Sequence, residues 1–293
     1  MGMAPEKAMV LEKATRFIWE NSRFLERAVF EHFFYKGPTA RILEILKTYQ
    51  NEDGGFGHAL EPDLRAPDSQ PLFTEFALRT LYECNLRDPE MAYKVCGFLS
   101  KHADFKQGIP SIFLSSQNFP RAAHWNNPTA VQPSMDRMTG LVGLVSWQGI
   151  KHPWLSEAIE VCIESIATTY YEDAHTIQNA FCLLESLSKV KDVGTLQMKL
   201  SNELFKANFF CLDAPVVNYG LTPLSFAPKP DSYCRNLFSD LQIEAHLDDL
   251  ESKQEEDGGW PILWEPPGEM ARWEWRSHKT VYSLVSLRAY GRI

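Results

Sequence analysis

The chain of 293 residues lacks any uninterrupted apolar run near the ~20 residues that a membrane-spanning helix needs, so no integral membrane segment is expected. It also lacks clustered lysine and arginine. Twenty-nine basic residues stand against 38 acidic ones, for a net charge of −9, whereas a nucleic-acid surface requires a concentrated basic patch. Nucleic acid is therefore not an expected partner. No C-x-x-C pair occurs among Cys84, Cys96, Cys162, Cys182, Cys211 and Cys234, and most of them sit in apolar, helix-like stretches. Such spacing points to reduced thiols in a cytoplasmic protein rather than to a disulfide framework. The first residues, MGMAPEKAMVLEKATRF, alternate charge with apolar side chains and form no signal-peptide core. With 44% hydrophobic and 23% charged residues, the composition is that of a globular chain and excludes a wholly disordered or fibrous one.

Period-two alternation is rare and helical periodicity is pervasive. Phe17, Phe24, Leu25, Ala28, Val29 and Phe33 share the spacing of one helix face, with a stop at Gly37-Pro38. Ile42, Ile45, Leu46 and Tyr49 make a second run, and Phe73, Phe76, Ala77, Leu81 and Cys84 a third. Comparable runs recur around 155–166, 177–187 and 281–287, predicting an all-α chain of about ten to twelve helices. The polar, aromatic or Pro-rich segments 51–71, 104–137, 211–235 and 257–277 read as loops, and loops this long tend to carry function. No shift of composition marks a boundary, so residues 1–293 read as a single domain.

One heptapeptide occurs twice. Gln50-Asn51-Glu52-Asp53-Gly54-Gly55-Phe56 returns as Gln254-Glu255-Glu256-Asp257-Gly258-Gly259-Trp260, with five of seven positions identical. Glu61-Pro62 and Glu265-Pro266 follow at the same offset. Each copy lies between amphipathic runs, 39–50 and 72–84 in one case, 241–254 and 279–290 in the other, as stacked helical hairpins require. The chemistry of the motif is that of a turn. Glutamine bonds orphan carbonyls at a helix end, Asp bonds the backbone two residues on, and glycine reaches positive φ without strain. Asp53 and Asp257 are accordingly expected to serve the backbone, not catalysis.

Q-x-x-D-G-G-[FW] between helices resembles the QW-type repeat of the terpenoid cyclase and protein prenyltransferase superfamily. That resemblance implies an α/α toroid, a barrel of helical hairpins around a central cavity, and an isoprenoid-like ligand within it. The family's acid motif D-x-D-D and its Mg²⁺-holding D-D-x-x-D are absent, and His246-Leu247-Asp248-Asp249 reads as solvated helix charge. The zinc pattern of the prenyltransferases is matched only by the placing of His278, since Cys211-Leu212-Asp213 reverses the expected order. No metal or cofactor is expected.

The polar segments are where chemistry is expected. Glu61, Asp63 and Asp136 are the catalytic candidates, since a carboxyl desolvated in a cavity can be held protonated. His58, Arg65, His124, Trp125, Asn126, Tyr219, Trp273, Trp275 and His278 are the ligand-binding candidates, indoles beside amides being suited to planar or sugar-like molecules. His175 and Asn179 lie one helical turn apart and share a face. The partner expected is a small molecule, with oligomeric state left open. Three readings follow: an isoprenoid-like ligand bound or transformed, a carbohydrate enzyme or sugar binder, and a scaffold without catalysis.

Overall fold

The structure, a computed structural model, describes residues 5–293. Among these residues there are twelve α-helices and no extended strand, only isolated bridges, which is the all-α class expected. The helices are α1 (Pro5–Asn21), α2 (Phe24–Tyr35), α3 (Thr39–Tyr49), α4 (Pro71–Glu83), α5 (Pro89–His102), α6 (Met135–Trp147), α7 (Pro153–Thr168), α8 (Ala174–Leu187), α9 (Gly194–Leu204), α10 (Pro223–Phe226), α11 (Asp240–Ser252) and α12 (Glu269–Ala289). The chain divides into two compact units. The first takes in residues up to Ile42 together with Phe209–Ile293, and the second is Leu43–Asn208. Each is built of helical hairpins, an arrangement compatible with an α/α toroid.

In the second unit α6 is the central helix, buried without interruption from Met138 to Val145 between α4 and α8. Gly140 and Gly143 allow α8 to approach. A Cβ at 143 would stand 2.7 Å from the Leu183 nitrogen, which only a glycine avoids. The first repeat turn joins α3 to α4 here. Gln50 donates from Nε2 to Gly54 O (3.0 Å) within its own turn and to Met91 O (3.2 Å) in the first turn of α5. Asp53 accepts from the Gly55 N–H at 3.0 Å, and the Thr74 hydroxyl accepts from the Phe56 N–H at 3.2 Å. Phe56 is wholly buried, worth about 1.5–3 kcal/mol for a side chain of its kind.

The first unit repeats this device. Gln254 donates to Gly258 O (3.0 Å) and to Val10 O (2.9 Å) on α1, Asp257 accepts from Gly259 N–H, and Thr280 accepts from the Trp260 N–H at 2.9 Å. Helix α1 thus stands to the second turn as α5 stands to the first, and it packs along α12.

Three boundaries differ from the sequence reading. The single helix expected over 17–33 is broken after Asn21, whose amide bonds back to Phe17 O while Arg23 turns extended (ψ 166°), so Phe17 and Phe24 belong to different helices. Helix α2 then ends with Lys36, not Gly37, in the left-handed conformation, and the Gly37 N–H bonds Glu31 O. The last helix starts at Glu269 instead of 279. Its extra turns are held by tertiary contacts invisible to periodicity: Arg276 bonds Asp257 (2.7 Å) and Glu255 in the repeat turn and lies over Phe17.

Gly258 has φ +92°, and a Cβ there would stand 2.3 Å from the Lys13 carbonyl oxygen. Gly258→Ala is expected to destabilise the protein by at least about 2 kcal/mol. Gly97, inside α5 with open space around it, should instead stabilise by about 0.5–1 kcal/mol on replacement by Ala. Urea unfolding midpoints of the two variants check both signs.

Candidate functional site

The second unit gathers most of the polar candidates. The repeat turn delivers Gln70 to the start of α4, where its side chain accepts from the Phe113 N–H (2.7 Å) and donates to Ser115 Oγ (3.3 Å). This ties the long 104–134 connection to α4. The same connection is zipped onto the segment after the repeat: Arg65 N–H bonds Pro120 O at 2.9 Å and Ala122 N–H bonds Asp63 O at 2.8 Å. His124 is thereby set beside Asp63, with Nε2 3.6 Å from Oδ2. Asp63 is buried (3% exposed) while the His124 side chain is half open. Desolvation first, and the neighbouring His175 second, push the His124 imidazole below its usual pKa, favouring the neutral ring.

Glu61 is also buried, and its Oε2 accepts from the Asp63 N–H at 2.9 Å. Trp125 packs against the His124 ring at 4.9 Å, and its buried indole N–H meets no hydrogen-bond acceptor among the described residues. Asn126 is exposed at the end of the same short turn. His58 is exposed at φ +59° and bonds Asn51, so it belongs to the repeat turn. Arg65 is half-buried.

Asp136 lies in the first turn of α6, after the Ser134 cap. Burial raises its carboxyl pKa, against opposing contributions from Arg137, Asn179 and Thr176. On α4, Glu75 is the contrary case. Burial alone would raise it, but Arg137 and Arg79 outweigh burial and hold it below the usual carboxylate range. Arg79 reaches Glu75 Oε1 at 2.9 Å and Arg137 takes Oε2. From α8, Asn179 accepts from Arg79 (3.2 Å) and donates to Asp136 Oδ1 (3.0 Å). Glu75, Arg79, Asn179 and Asp136 form one bonded row across α4, α8 and α6. His175 begins α8 with Nδ1 2.9 Å from Asp173. Further along the same helices, the Tyr82 hydroxyl donates to Glu185, whose pKa burial raises.

Sequence reasoning points to Asp136, Asp63 and His124 but passes over Glu75 and Arg79. Their signal is a charged pair at i and i+4 on the largely apolar Phe73–Leu81 run. A carboxyl whose pKa is raised beside one whose pKa is lowered is the electrostatic pattern of acid–base chemistry. Among the described residues no group of three or more His, Cys, Asp or Glu is disposed to hold a metal ion.

The remaining candidates lie in the first unit. Tyr219, Trp264, Trp275, His278 and Tyr282 run ring against ring, with centroids 5.6, 5.2, 5.5 and 4.6 Å apart. Burial, with Arg23 and Lys279 nearby, pulls the His278 pKa down to about 3. Trp273 does not join them. Two residues from Trp275, it turns to the other side of α12, 6.1 Å from Phe17 and beneath Arg276.

No protein-family model matches the chain, and no curated protein matches it in sequence. A crystal structure of a protein from Actinoplanes is similar in fold, with a TM-score of 0.57 and 14% identity over 97% of this chain and 99% of that one. Among the described residues no helix is long and apolar enough to cross a membrane.

Replacing Glu75 by Gln leaves Arg79 and Arg137 facing a neutral amide, a loss of about 3 kcal/mol at pH 7 for a broken buried pair. Because the folded pKa lies below the unfolded one, this contribution is complete above the unfolded value and fades as pH falls through the folded value. Denaturation of Glu75→Gln and the parent protein should therefore differ most near neutrality and converge at low pH.

Proposed function

We propose that the chain binds a hydroxyl-rich, sugar-like small molecule at the polar site of the second unit and acts on it by proton transfer. The observation that carries this reading is the bonded row from Glu75 through Arg79 and Asn179 to Asp136. A hydrocarbon ligand offers amides, guanidinium groups and carboxyls no hydrogen bond. Hydroxyl groups both donate and accept, and so match such groups. Trp125 beside His124 supplies a flat apolar surface for a sugar ring, and its buried N–H supplies a donor. The net charge of −9 speaks against nucleic acid as the partner. A cytoplasmic setting belongs to the same reading, supported by five buried cysteines.

The isoprenoid-like ligand implied by the repeat draws its support from a different place, the ring-on-ring row from Tyr219 to Tyr282 in the first unit. Thermal-shift measurements against neutral mono- and oligosaccharides and against isoprenyl diphosphates separate the two. A ligand at a hundredfold excess over its Kd stabilises by about 2.7 kcal/mol. The sugar reading predicts such a rise with at least one saccharide, diminished in Trp125→Ala and Asp136→Asn. Stabilisation by isoprenyl diphosphates alone would replace it with the isoprenoid reading, and silence from both classes leaves a scaffold.

A further inference from the structure

Asn179 is almost fully buried, and the carbonyl and amino ends of its side chain are chemically assigned by its neighbours. Arginine has only donors, so the group 3.2 Å from Arg79 must be the amide oxygen. The amino group is thereby turned to Asp136, where it donates to Oδ1 at 3.0 Å. The seat for this amide is a missing side chain. At Gly140 on α6, a Cβ would stand 2.7 Å from Asn179 Cγ and 2.8 Å from its Oδ1.

We propose that Asp136 is the proton donor of the site and Asn179 its positioning residue, with Arg79 fixing the amide so that Oδ1 is occupied as an acceptor and the transferable proton is left on Oδ2. The proposal rests on the sugar-like reading above and deepens it into a reaction. The groups facing the carboxyl are Arg137 on its own helix, Glu75 with Arg79 on α4, Thr176 and Asn179 on α8, and Tyr171 before α8. The Thr176 hydroxyl bonds the same carboxyl and, like Asn179, favours its charged form against burial. Burial keeps the acid protonated towards higher pH than a solvated aspartate.

The second carboxyl is ruled out as a nucleophile. Both oxygens of Glu75 are taken by arginines, Oε1 by Arg79 and Oε2 by Arg137. The step consistent with these groups is attack by water. The C–O bond to the leaving group breaks with its electron pair on oxygen, and that oxygen takes the Oδ2 proton of Asp136. Water forms the new C–O bond and gives up its proton to solvent, from which Asp136 regains its own. One water is consumed, and no oxidant, reductant or further reactant is needed.

Two measurements test this, one of them independent of turnover. In protein labelled with ¹³C at aspartate carboxyls, Asn179→Leu should raise the Asp136 pKa by about one unit, since a donor to the charged form is lost. Gly140→Ala should move it in the same direction by displacing the amide. If either folded variant leaves the Asp136 titration unchanged, the positioning role is overturned, whatever happens to its melting temperature. The second measurement compares 4-nitrophenyl with 2,4-dinitrophenyl glycosides, the latter having a leaving group that needs little protonation. Asp136→Asn should lose about a hundredfold or more on the former and far less on the latter. Equal losses on both would overturn Asp136 as donor while leaving the sugar reading standing. No turnover of any glycoside by the parent protein would overturn the sugar reading and the donor role with it, and the carboxyl titration would then report on Asn179 alone.

Discussion

The fold depends on a glutamine that bonds in two directions. At the end of α3 and again at the end of α11, one amide closes its own Asp-Gly-Gly turn and also donates to a carbonyl in the first turns of another helix, Met91 of α5 in one case and Val10 of α1 in the other. The first glycine of each turn has no alternative. Gly54 and Gly258 have φ of +91° and +92°, and the backbone of each passes against a lysine carbonyl of the helix it clasps, Lys94 or Lys13. Asp and a threonine hydroxyl then satisfy the N–H groups that the turn exposes. From its first glycine onward each turn is buried, and the backbone groups there take their partners from protein. The second turn clasps the first helix of the chain, which ties the carboxyl-terminal hairpin to α1 across 244 residues of sequence.

The same turn sets the candidate site. Thr74, which accepts from Phe56, and Gln70, which anchors the 104–134 connection, both belong to the first residues of α4 and the residue before it. Glu75 and Arg79 follow one turn further on the same helix. Their partners Asp136, Arg137 and Asn179 sit on α6 and α8, brought together by the Gly140–Asn179 contact. These charges are therefore carried by packed helices, which is what shifting two neighbouring carboxyls in opposite directions requires. Glu61, Asp63, His124 and Trp125 come from the segments between the α-helices, and Asp63 and His124 are fixed by the backbone bonds that join those segments.

Helical class and the two turns are legible in the chain because both depend on local chemistry: apolar period, turn glycines and a side chain that bonds its own backbone. The break between α1 and α2 is not, because Phe17 and Phe24 keep helical spacing across it and only the Asn21 side chain marks the stop. Nor is the early start of α12, whose Arg276 gains its partners from residues about twenty positions upstream. At the site, Asp136 stands out as a polar residue opening an apolar helix. Its relation to Glu75 depends on Asn179, about a hundred residues from Arg79, and no spacing rule reaches that far. Trp273 and Trp275 group together by proximity in sequence, yet an interval of two on a helix sends side chains to different sides.

Native-state hydrogen exchange across α1 and α12 tests most directly whether the second turn binds the two ends of the chain into one cooperative unit. The account predicts that the buried amides around Phe17 and Ile18 open together with those around Val281 and Leu284, and that Gln254→Ala lowers protection in both sets alike. Amides of α1 that exchange through an opening of their own, unaffected by Gln254→Ala, would contradict it.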